Sequence, residues 1–187
     1  MMMAMRFADV QSLADRHLMR TYNRLPIALV EGEGSRVPDI EGKEYLDFLG
    51  GIAVSALGHK HPAIVQAIKD AAELILHTSN LYYIEPQARL AARLAELTGL
   101  ERAFFGNSGT EANEAAIKLA RRYGRRDGQN RYKIVSAWQS FHGRTLGSLT
   151  ATGQPKYQEG FAPLPEGFVY VPLNDIEALE AAIDEET

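Results

Sequence analysis

One stretch, Phe104–Glu114, constrains the fold of this chain more than any other part of the sequence. A short apolar run, Ala103–Phe105, precedes its small residues and predicts the end of a buried strand. Apolar residues then recur at spacings of three and four, which predicts a helix with one apolar face. This face comprises Ala112, Ala115, Ala116, Leu119, Ala120 and Tyr123. The stretch therefore predicts a strand, a turn of small residues and the start of a helix.

The turn has two interpretations. Its small residues leave backbone N–H groups accessible at the positive end of the helix dipole, where a phosphate or carboxylate can bind. Alternatively, Ser108 and Glu111 form a capping box, and Gly109 only permits a tight turn. The glycine spacing is neither G-x-G-x-x-G nor G-x-x-x-x-G-K-[ST], which argues against a Rossmann-like nucleotide binder and a P-loop. This stretch alone leaves anion binding and capping both open.

Composition excludes several classes of protein. The 187 residues are 45% hydrophobic and 24% charged, which is typical of a globular domain. A net charge of −4 gives no support to nucleic-acid binding, and the absence of cysteine excludes disulfides and thiolate sites. No apolar run reaches the roughly 18 residues of a membrane span, and the N-terminal run is too short for a signal peptide. We therefore expect a cytoplasmic protein with no nucleic-acid or membrane partner.

The order of the remaining patterns predicts the fold class. Helices are predicted at residues 9–20, from Pro62, from Pro86 to just before Gly99, and around 176–183. Strands are predicted at Ile27–Val30, Arg36–Ile40, Glu44–Phe48 and Tyr132–Ala137, with a hairpin turn at Glu41-Gly42. Helices and strands that alternate in this way favour an α/β architecture with a largely parallel sheet, preceded by a small strand-containing segment. Ligands of such sheets collect beyond the carboxyl ends of the strands.

A second loop with chemical potential, Ser140–Arg144, follows the predicted strand Tyr132–Ala137. Phe141 offers an aromatic face that can stack on a flat ring, and His142 follows it. Arg144 can bind a carboxylate through two parallel hydrogen bonds. Together with the turn at Ser108, this loop predicts a site for a planar phosphorylated ring and an acidic substrate.

Two histidines, His59 and His61, are spaced like a possible pair of metal ligands. A third ligand is missing nearby, so we interpret this segment as a loop that leads into the helix at Pro62 and expect no metal.

Several separate motifs, in one order, make the sequence resemble the class III aminotransferases, which are pyridoxal-phosphate enzymes of fold type I. The motifs are Gly50–Val54, Gly58–Pro62, His77–Asn80, Asn107–Glu114, Phe141–Arg144 and Gly153–Tyr157. The resemblance extends from about Leu13 to Thr187 and is strongest to the acetylornithine aminotransferase subfamily. It implies the start of a three-layer large domain with a mostly parallel sheet.

The resemblance also implies roles for individual residues around pyridoxal 5'-phosphate. The residues implied for the cofactor are Ser108, Gly109 and Thr110 at its phosphate, Phe141 on its pyridine ring, and His142 beside it. Arg144 is implied to bind the α-carboxylate of the substrate, with Asn80 as a neighbour, and Glu111 to cap or shape the site.

The same resemblance implies features that these residues do not supply. Family members are much longer, and their Schiff-base lysine lies in a context that none of the six lysines here matches. We therefore assign no catalytic residue and expect the chain to be an N-terminal portion, inactive alone. Residues 1–60 are expected to contribute to the small domain, and residues 61–187 to begin an incomplete large domain.

The implied reaction is transfer of an amino group from N-acetylornithine or ornithine to 2-oxoglutarate, in arginine biosynthesis. Donors that stay open are 4-aminobutyrate and a carrier-linked lysine. The implied partners are amino-acid and 2-oxo-acid substrates and a second copy in a homodimer, or a complementary chain. A different class of function also stays open, namely a non-catalytic fragment that binds a phosphorylated ligand or a complementary chain.

Overall fold

The computed structural model describes residues 5–187 and divides them into two compact units. The first unit ends at Ile84, and the second comprises Glu85–Thr187. The boundary expected from the sequence, between residues 60 and 61, concerns the small and large domains of the family and stays a prediction.

The first unit contains helices and one small antiparallel sheet. Its elements are α1 (Phe7–His17), β1 (Arg36–Pro38), β2 (Glu44–Leu46), the single turn α2 (Gly50–Ala53) and α3 (Pro62–Glu73). The predicted helices at 9–20 and from Pro62 are confirmed, with α1 beginning and ending a few residues earlier. In α2, Gly51 and Ile52 have positive φ angles of 64° and 61°, a conformation that is costly for a β-branched residue.

The predicted hairpin around Glu41-Gly42 is confirmed, since β1 and β2 pair antiparallel with Val37 opposite Tyr45. Asp39 closes the turn, because its carboxylate accepts hydrogen bonds from the backbone N–H groups of Glu41 (3.0 Å) and Lys43 (2.9 Å). The Tyr45 hydroxyl donates to the same carboxylate at 3.0 Å.

The predicted strand Ile27–Val30 is wrong, because the segment makes only an isolated bridge between Leu29 and Asp39. Its partner edge contains Pro38, which has no backbone N–H to donate and so cannot extend the ladder. The pairing is limited to bonds such as that from Val30 N to the Pro38 carbonyl at 3.3 Å.

The second unit contains a parallel strand pair and five helices. Its elements are α4 (Glu85–Thr98), α5 (Gly109–Tyr123), a 3₁₀ turn (Arg126–Gly128), β3 (Ile134–Ala137), α6 (Leu146–Ala151), α7 (Pro155–Gln158), β4 (Phe168–Val171) and α8 (Ile176–Ala182). The predicted helices at Pro86, after Ser108 and at 176–183 are confirmed, as is the strand ending at Ala137. The sequence reasoning missed α6, α7 and β4.

The best-buried part of this unit is α6 together with the residue after it. Leu149 and Ala151 are buried, and so are the hydroxyl residues Ser148, Thr150 and Thr152. β3 and β4 pair in parallel, with Ile134 opposite Phe168. The Tyr170 hydroxyl of β4 donates to the Thr150 carbonyl, which ties α6 to the sheet.

The predicted strand end Ala103–Phe105 is wrong for this structure, because these residues form no strand and Phe104 is 70% exposed. A strand needs a neighbour for its backbone groups, and none of the described residues pairs with this segment.

The apolar face predicted for α5 is likewise not buried within the described residues. Leu119 is 71% exposed and Tyr123 is 67% exposed, whereas Asn113, Glu114 and Ile117 are half-buried. The helix thus packs on α6 through a more polar face, which period-based reasoning does not select.

No helix among residues 5–187 is both long enough and apolar enough to cross a lipid bilayer.

The Tyr170 hydroxyl provides a test of the packing between α6 and β4. Tyr170→Phe should lower the free energy of unfolding by about 1 kcal/mol, because the Thr150 carbonyl loses a donor and the amide of Gln158 loses an acceptor. Tyr123→Phe is the matched control, with an expected change within about 0.5 kcal/mol, since its ring is exposed. Urea denaturation of both variants measures the difference; equal effects would contradict this packing.

Candidate functional site

Helix α5 begins with a capping residue and two backbone N–H groups that stay available. Ser108 is the N-cap, and its hydroxyl accepts a hydrogen bond from the Glu111 N–H at 3.3 Å. The carbonyl of Ser108 accepts from the Ala112 N–H at 3.1 Å. Within the described residues, the N–H groups of Gly109 and Thr110 have no hydrogen-bond partner. Ser108 thus caps the helix as one half of the predicted capping box, while the Glu111 carboxylate accepts hydrogen bonds from Asn107. This cap leaves room for an anion as well.

Gly109 adds space to this helix end. No heavy atom lies within 4 Å of the point that a Cβ at this position would occupy. An anion can thus approach the N–H groups of residues 109 and 110 directly. The residues present fit a phosphate group at the start of α5.

Glu111 stabilises the turn that precedes the helix. Its carboxylate accepts hydrogen bonds from the Asn107 side chain, at 3.2 Å, and from the Asn107 backbone N–H. The hydrogen bond from the Asn107 side chain is the largest of the effects that lower the pKa of Glu111, with the Asn107 backbone bond next. The carboxylate thus fixes the loop that leads into the anion site.

The Thr110 side chain points towards α6. Its hydroxyl lies 2.6 Å from the Ser148 hydroxyl and 3.1 Å from that of Thr145. Since the hydroxyl is engaged in this cluster, the group of Thr110 best placed for a phosphate is its backbone N–H.

Glu114 joins α5 to the start of α6. Its carboxylate accepts hydrogen bonds from the Thr145 hydroxyl and from the Ser148 N–H, the latter at 3.0 Å. A Cβ at Gly147 would lie 2.6 Å from a carboxylate oxygen of Glu114, so a larger residue there would displace this carboxylate. This contact holds the two helices, and with them the two loops, in one arrangement.

The two predicted loops meet at Gly143. An added Cβ at this residue would lie 2.1 Å from the Thr110 hydroxyl oxygen and 2.6 Å from that of Ser148. Its φ of +136° is also one that residues with a side chain rarely adopt. The loop that carries Phe141 is therefore packed directly against the first turn of α5, and the shared site that the sequence predicts for these two segments stays a prediction.

Phe141 and Arg144 both contact the ring of Tyr157. The Phe141 ring is 57% exposed and meets the Tyr157 ring edge-on, with centroids 6.2 Å apart. The Arg144 guanidinium lies over the same Tyr157 ring, 5.6 Å from its centroid. An exposed aromatic face and a guanidinium thus stand beside the anion site.

His142 lies in the same loop, with its Nδ1 3.4 Å from the Ser140 hydroxyl. Asn80 lies in the first unit, in an exposed turn next to Ser79, whose φ is positive. The roles of both residues, like those of Ser108, Gly109, Thr110, Phe141 and Arg144, stay predictions.

The histidine pair of the first unit has a structural explanation. His59 Nε2 lies 2.8 Å from the Asp47 carboxylate, which also accepts the Gly50 N–H at 2.8 Å. The His59 bond is the largest of the effects that lower the pKa of Asp47. Within residues 5–187 there is no cluster of three or more metal-ligating side chains.

Sequence reasoning missed the polar residues that support the two loops: Asn113, Glu114, Thr145, Ser148 and Thr152. The spacing of Thr145 and Ser148 does carry a signal, since it forms a capping box at the start of α6. The role of Glu114 depends on a contact with a distant helix, which no local pattern encodes.

The sequence profile of the class III aminotransferases matches residues 18–187. The chain belongs to this family. Class III aminotransferases are pyridoxal-phosphate-dependent enzymes. The cofactor expected from the sequence, pyridoxal 5'-phosphate, is therefore the cofactor of the family.

Curated relatives of this class III chain carry a more specific name. It is 57% identical over 180 residues to the acetylornithine aminotransferase of Methanocaldococcus jannaschii. This alignment covers 94% of the chain and 44% of the relative. It is 60% identical over 172 residues to the acetylornithine aminotransferase of Caldanaerobacter subterraneus, in an alignment that covers 91% of the chain and 44% of that relative. The chain thus spans less than half the length of the curated relatives it matches.

A solved structure supports the α/β fold expected for this class III chain. The ornithine aminotransferase of Toxoplasma gondii matches with a TM-score of 0.90 and 27% identity, over 96% of this chain and 43% of that one. That enzyme was found with partial occupancy of pyridoxal phosphate at its active site. The fold prediction is confirmed as the corresponding part of an aminotransferase fold.

The Glu111 carboxylate gives a pH-dependent test of the turn before α5. Its pKa is lowered in the folded chain, so its stabilisation is complete above the unfolded value near 4.3 and is lost as the pH falls through the folded value. We therefore expect Glu111→Gln to destabilise the chain more at pH 7 than at pH 3, because the penalty declines as the pH falls below the unfolded value.

Chemical denaturation at the two pH values measures this change. Glu177→Gln removes an equal charge from the first turn of α8 and controls for the general effect of a charge near a helix start. A penalty at Glu111 that is the same at pH 7 and pH 3 would contradict the assignment.

Proposed function

We propose that this chain forms the phosphate- and ring-binding part of a pyridoxal-phosphate-dependent aminotransferase that acts on N-acetylornithine or ornithine. The observation that carries the proposal is the contact between the start of α5 and the loop Ser140–Arg144. This contact brings an anion site, an exposed aromatic ring and a guanidinium together. Membership of the class III family supports the identity of the cofactor.

In this proposal the start of α5 binds the cofactor phosphate. The N–H groups of Gly109 and Thr110 donate to phosphate oxygens, and the helix dipole favours the negative charge. The Ser108 hydroxyl lies at the same end and can add a further hydrogen bond. Open space at Gly109 admits the phosphate without displacing a side chain.

Phe141 and Arg144 then act on the ring and on the substrate. The exposed Phe141 face stacks on the pyridine ring and limits its tilt. The Arg144 guanidinium binds the α-carboxylate that the amino acid and 2-oxoglutarate share, with two parallel hydrogen bonds. His142, in the same loop as Phe141, stands beside the ring, and the substrate role that the family resemblance implies for Asn80 stays a prediction. When bound, pyridoxal phosphate supplies an electron sink for the carbon that carries the amino group.

The names of the relatives, acetylornithine aminotransferases, support N-acetylornithine as the donor. We propose 2-oxoglutarate as the acceptor and arginine biosynthesis as the pathway. A homodimer is also proposed, and the exposed apolar face of α5 is consistent with a covering partner. The cytoplasmic location expected from the sequence stays a prediction.

A charge at position 109 tests the phosphate site. Gly109→Asp should weaken pyridoxal-phosphate binding about 100-fold. The new carboxylate would occupy the space of the phosphate at the helix start and would repel its negative charge. The same charge favours the helix, so folding is retained. Gly109→Asn is the neutral matched variant and should weaken binding less.

Trp138 reports the binding directly. It is the only tryptophan of the chain and follows β3, three residues before Phe141, so a bound pyridoxal ring should quench its emission. Equal affinities of the Asp and Asn variants would contradict a phosphate at this helix end. A wild-type chain that leaves the emission unchanged would contradict cofactor binding.

Arginine 144 tests substrate recognition. Arg144→Ala should lower kcat/KM for both N-acetylornithine and 2-oxoglutarate about 100-fold, because a charged hydrogen-bonded pair is lost. Arg144→Lys keeps the charge but loses the paired geometry, and should recover only part of the activity. Arg122→Ala, at an exposed position in the last turn of α5, is the control.

Because this chain is expected to be inactive alone, glutamate formation is measured with a longer polypeptide that contains it and the Schiff-base lysine of the family. A donor panel with ornithine, 4-aminobutyrate and a carrier-linked lysine distinguishes the alternatives. Unchanged kcat/KM for both substrates in Arg144→Ala would remove the role proposed for this residue. Cofactor uptake without glutamate from any donor would favour the non-catalytic alternative.

A further inference from the structure

The backbone of His142 is held by side chains on both sides. Its N–H donates to the Thr152 hydroxyl at 2.9 Å. Its carbonyl accepts a hydrogen bond from the Asn113 side-chain amide at 2.7 Å. Both distances are those of well-formed hydrogen bonds. The peptide groups that flank His142, and thus the position of Phe141 beside it, are fixed from two directions.

Thr152 is suited to this task because its hydroxyl is fully committed. The residue is completely buried, and its hydroxyl donates its one proton to the Ser148 carbonyl at 2.9 Å. A lone pair therefore points to the His142 N–H. Removal of this hydroxyl would leave the His142 N–H without this partner.

Asn113 links the loop to the phosphate end of α5. It follows Thr110 by three residues, so the two side chains lie on one face of the helix. Thr110 contacts α6 at Ser148, while Asn113 holds the loop that carries the aromatic ring. One helix thus presents the N–H groups at its start and fixes the loop that carries the aromatic face.

We propose that Asn113, together with Thr152, is a positioning residue that sets the Phe141 ring relative to the phosphate-binding end of α5. The inference rests on the proposed function, since it assigns a purpose to that site. Neither residue needs to contact the cofactor. Their effect passes through the peptide groups of His142, and Gly143, packed on Thr110, leaves the loop no room to shift towards α5.

Two pairs of variants test the proposal. Asn113→Asp keeps the shape of the side chain but replaces its donor with a carboxylate that faces a carbonyl. Asn174→Asp, at an exposed position between β4 and α8, makes the same chemical change away from the loop. Thr152→Val removes the hydroxyl at nearly equal volume, and Thr152→Ser restores it.

Hydrogen exchange of the amides of residues 141–144 measures the loop without any ligand. We expect about tenfold faster exchange in Asn113→Asp and Thr152→Val, because each loses a hydrogen bond to the backbone of His142. Thr152→Ser and Asn174→Asp should exchange like the wild type. Circular dichroism establishes that each variant retains its helices.

Binding then distinguishes positioning of the ring from support of the phosphate site. Trp138 quenching gives the affinity for pyridoxal 5'-phosphate, and displacement by inorganic phosphate gives the affinity for phosphate alone. We expect Thr152→Val, which adds no charge near the helix start, to weaken cofactor binding about tenfold and phosphate binding less than about twofold, since only the ring loses its support.

The other outcomes separate the two proposals. No cofactor uptake by the wild type would overturn the proposed function and, with it, this role. Uptake by the wild type with unchanged exchange and affinity in Thr152→Val would overturn the positioning role alone. Equal losses of cofactor and phosphate affinity would also overturn it, because the start of α5 itself would then have changed.

Discussion

The arrangement of the second unit depends on one carboxylate, that of Glu114, at the junction of α5 and α6. It accepts hydrogen bonds from the Thr145 hydroxyl and the Ser148 N–H and lies against Gly147. An acidic group at the start of a helix is stabilised by free N–H groups and the helix dipole. Because this contact fixes α6 on α5, it also fixes the loop that leads into α6, and thus the whole candidate site.

Much of this organisation was readable from local patterns. The start of α5 was predictable because Ser108, Gly109 and Glu111 form a capping signature before an apolar period. The hairpin was predictable for a similar reason, since Glu41-Gly42 separates two short extended runs. These are features whose physical causes lie within a few residues of one another.

The errors have a different cause. The segment Ala103–Phe105 has the composition of a strand, but strand formation also requires a partner edge, and the described residues supply none. Helix α6 was missed because its buried side chains Ser148 and Thr150 are polar, so the apolar period is absent. The Ser148 hydroxyl bonds to Thr110 of α5, a distant contact that no single-sequence pattern displays, and the Thr150 hydroxyl donates to the Leu146 carbonyl within α6 itself.

The comparisons and the geometry answer different questions. The profile match and the relatives establish the family, and the 44% coverage of those relatives limits what their names imply for this chain. The geometry explains individual residues. A side chain at position 143 would clash with Thr110, and the Thr110 hydroxyl is engaged with Ser148, which leaves its backbone N–H available to an anion. Together they place the proposed cofactor site on a defined part of an aminotransferase fold.

The tight contact of Gly143 with Thr110 also bears on the rate at which a ligand is captured. A receptor whose loops must rearrange adds a slow, unimolecular step to association, whereas a preorganised one does not. In the proposed site, the loop backbone packs against the helix at Gly143, so binding of the phosphate at the helix start should be followed directly by stacking of the pyridine ring on Phe141. Association of the cofactor should then show a single kinetic phase whose rate depends on concentration. The dissociation rate, and not a slow closure of the loop, would set the affinity.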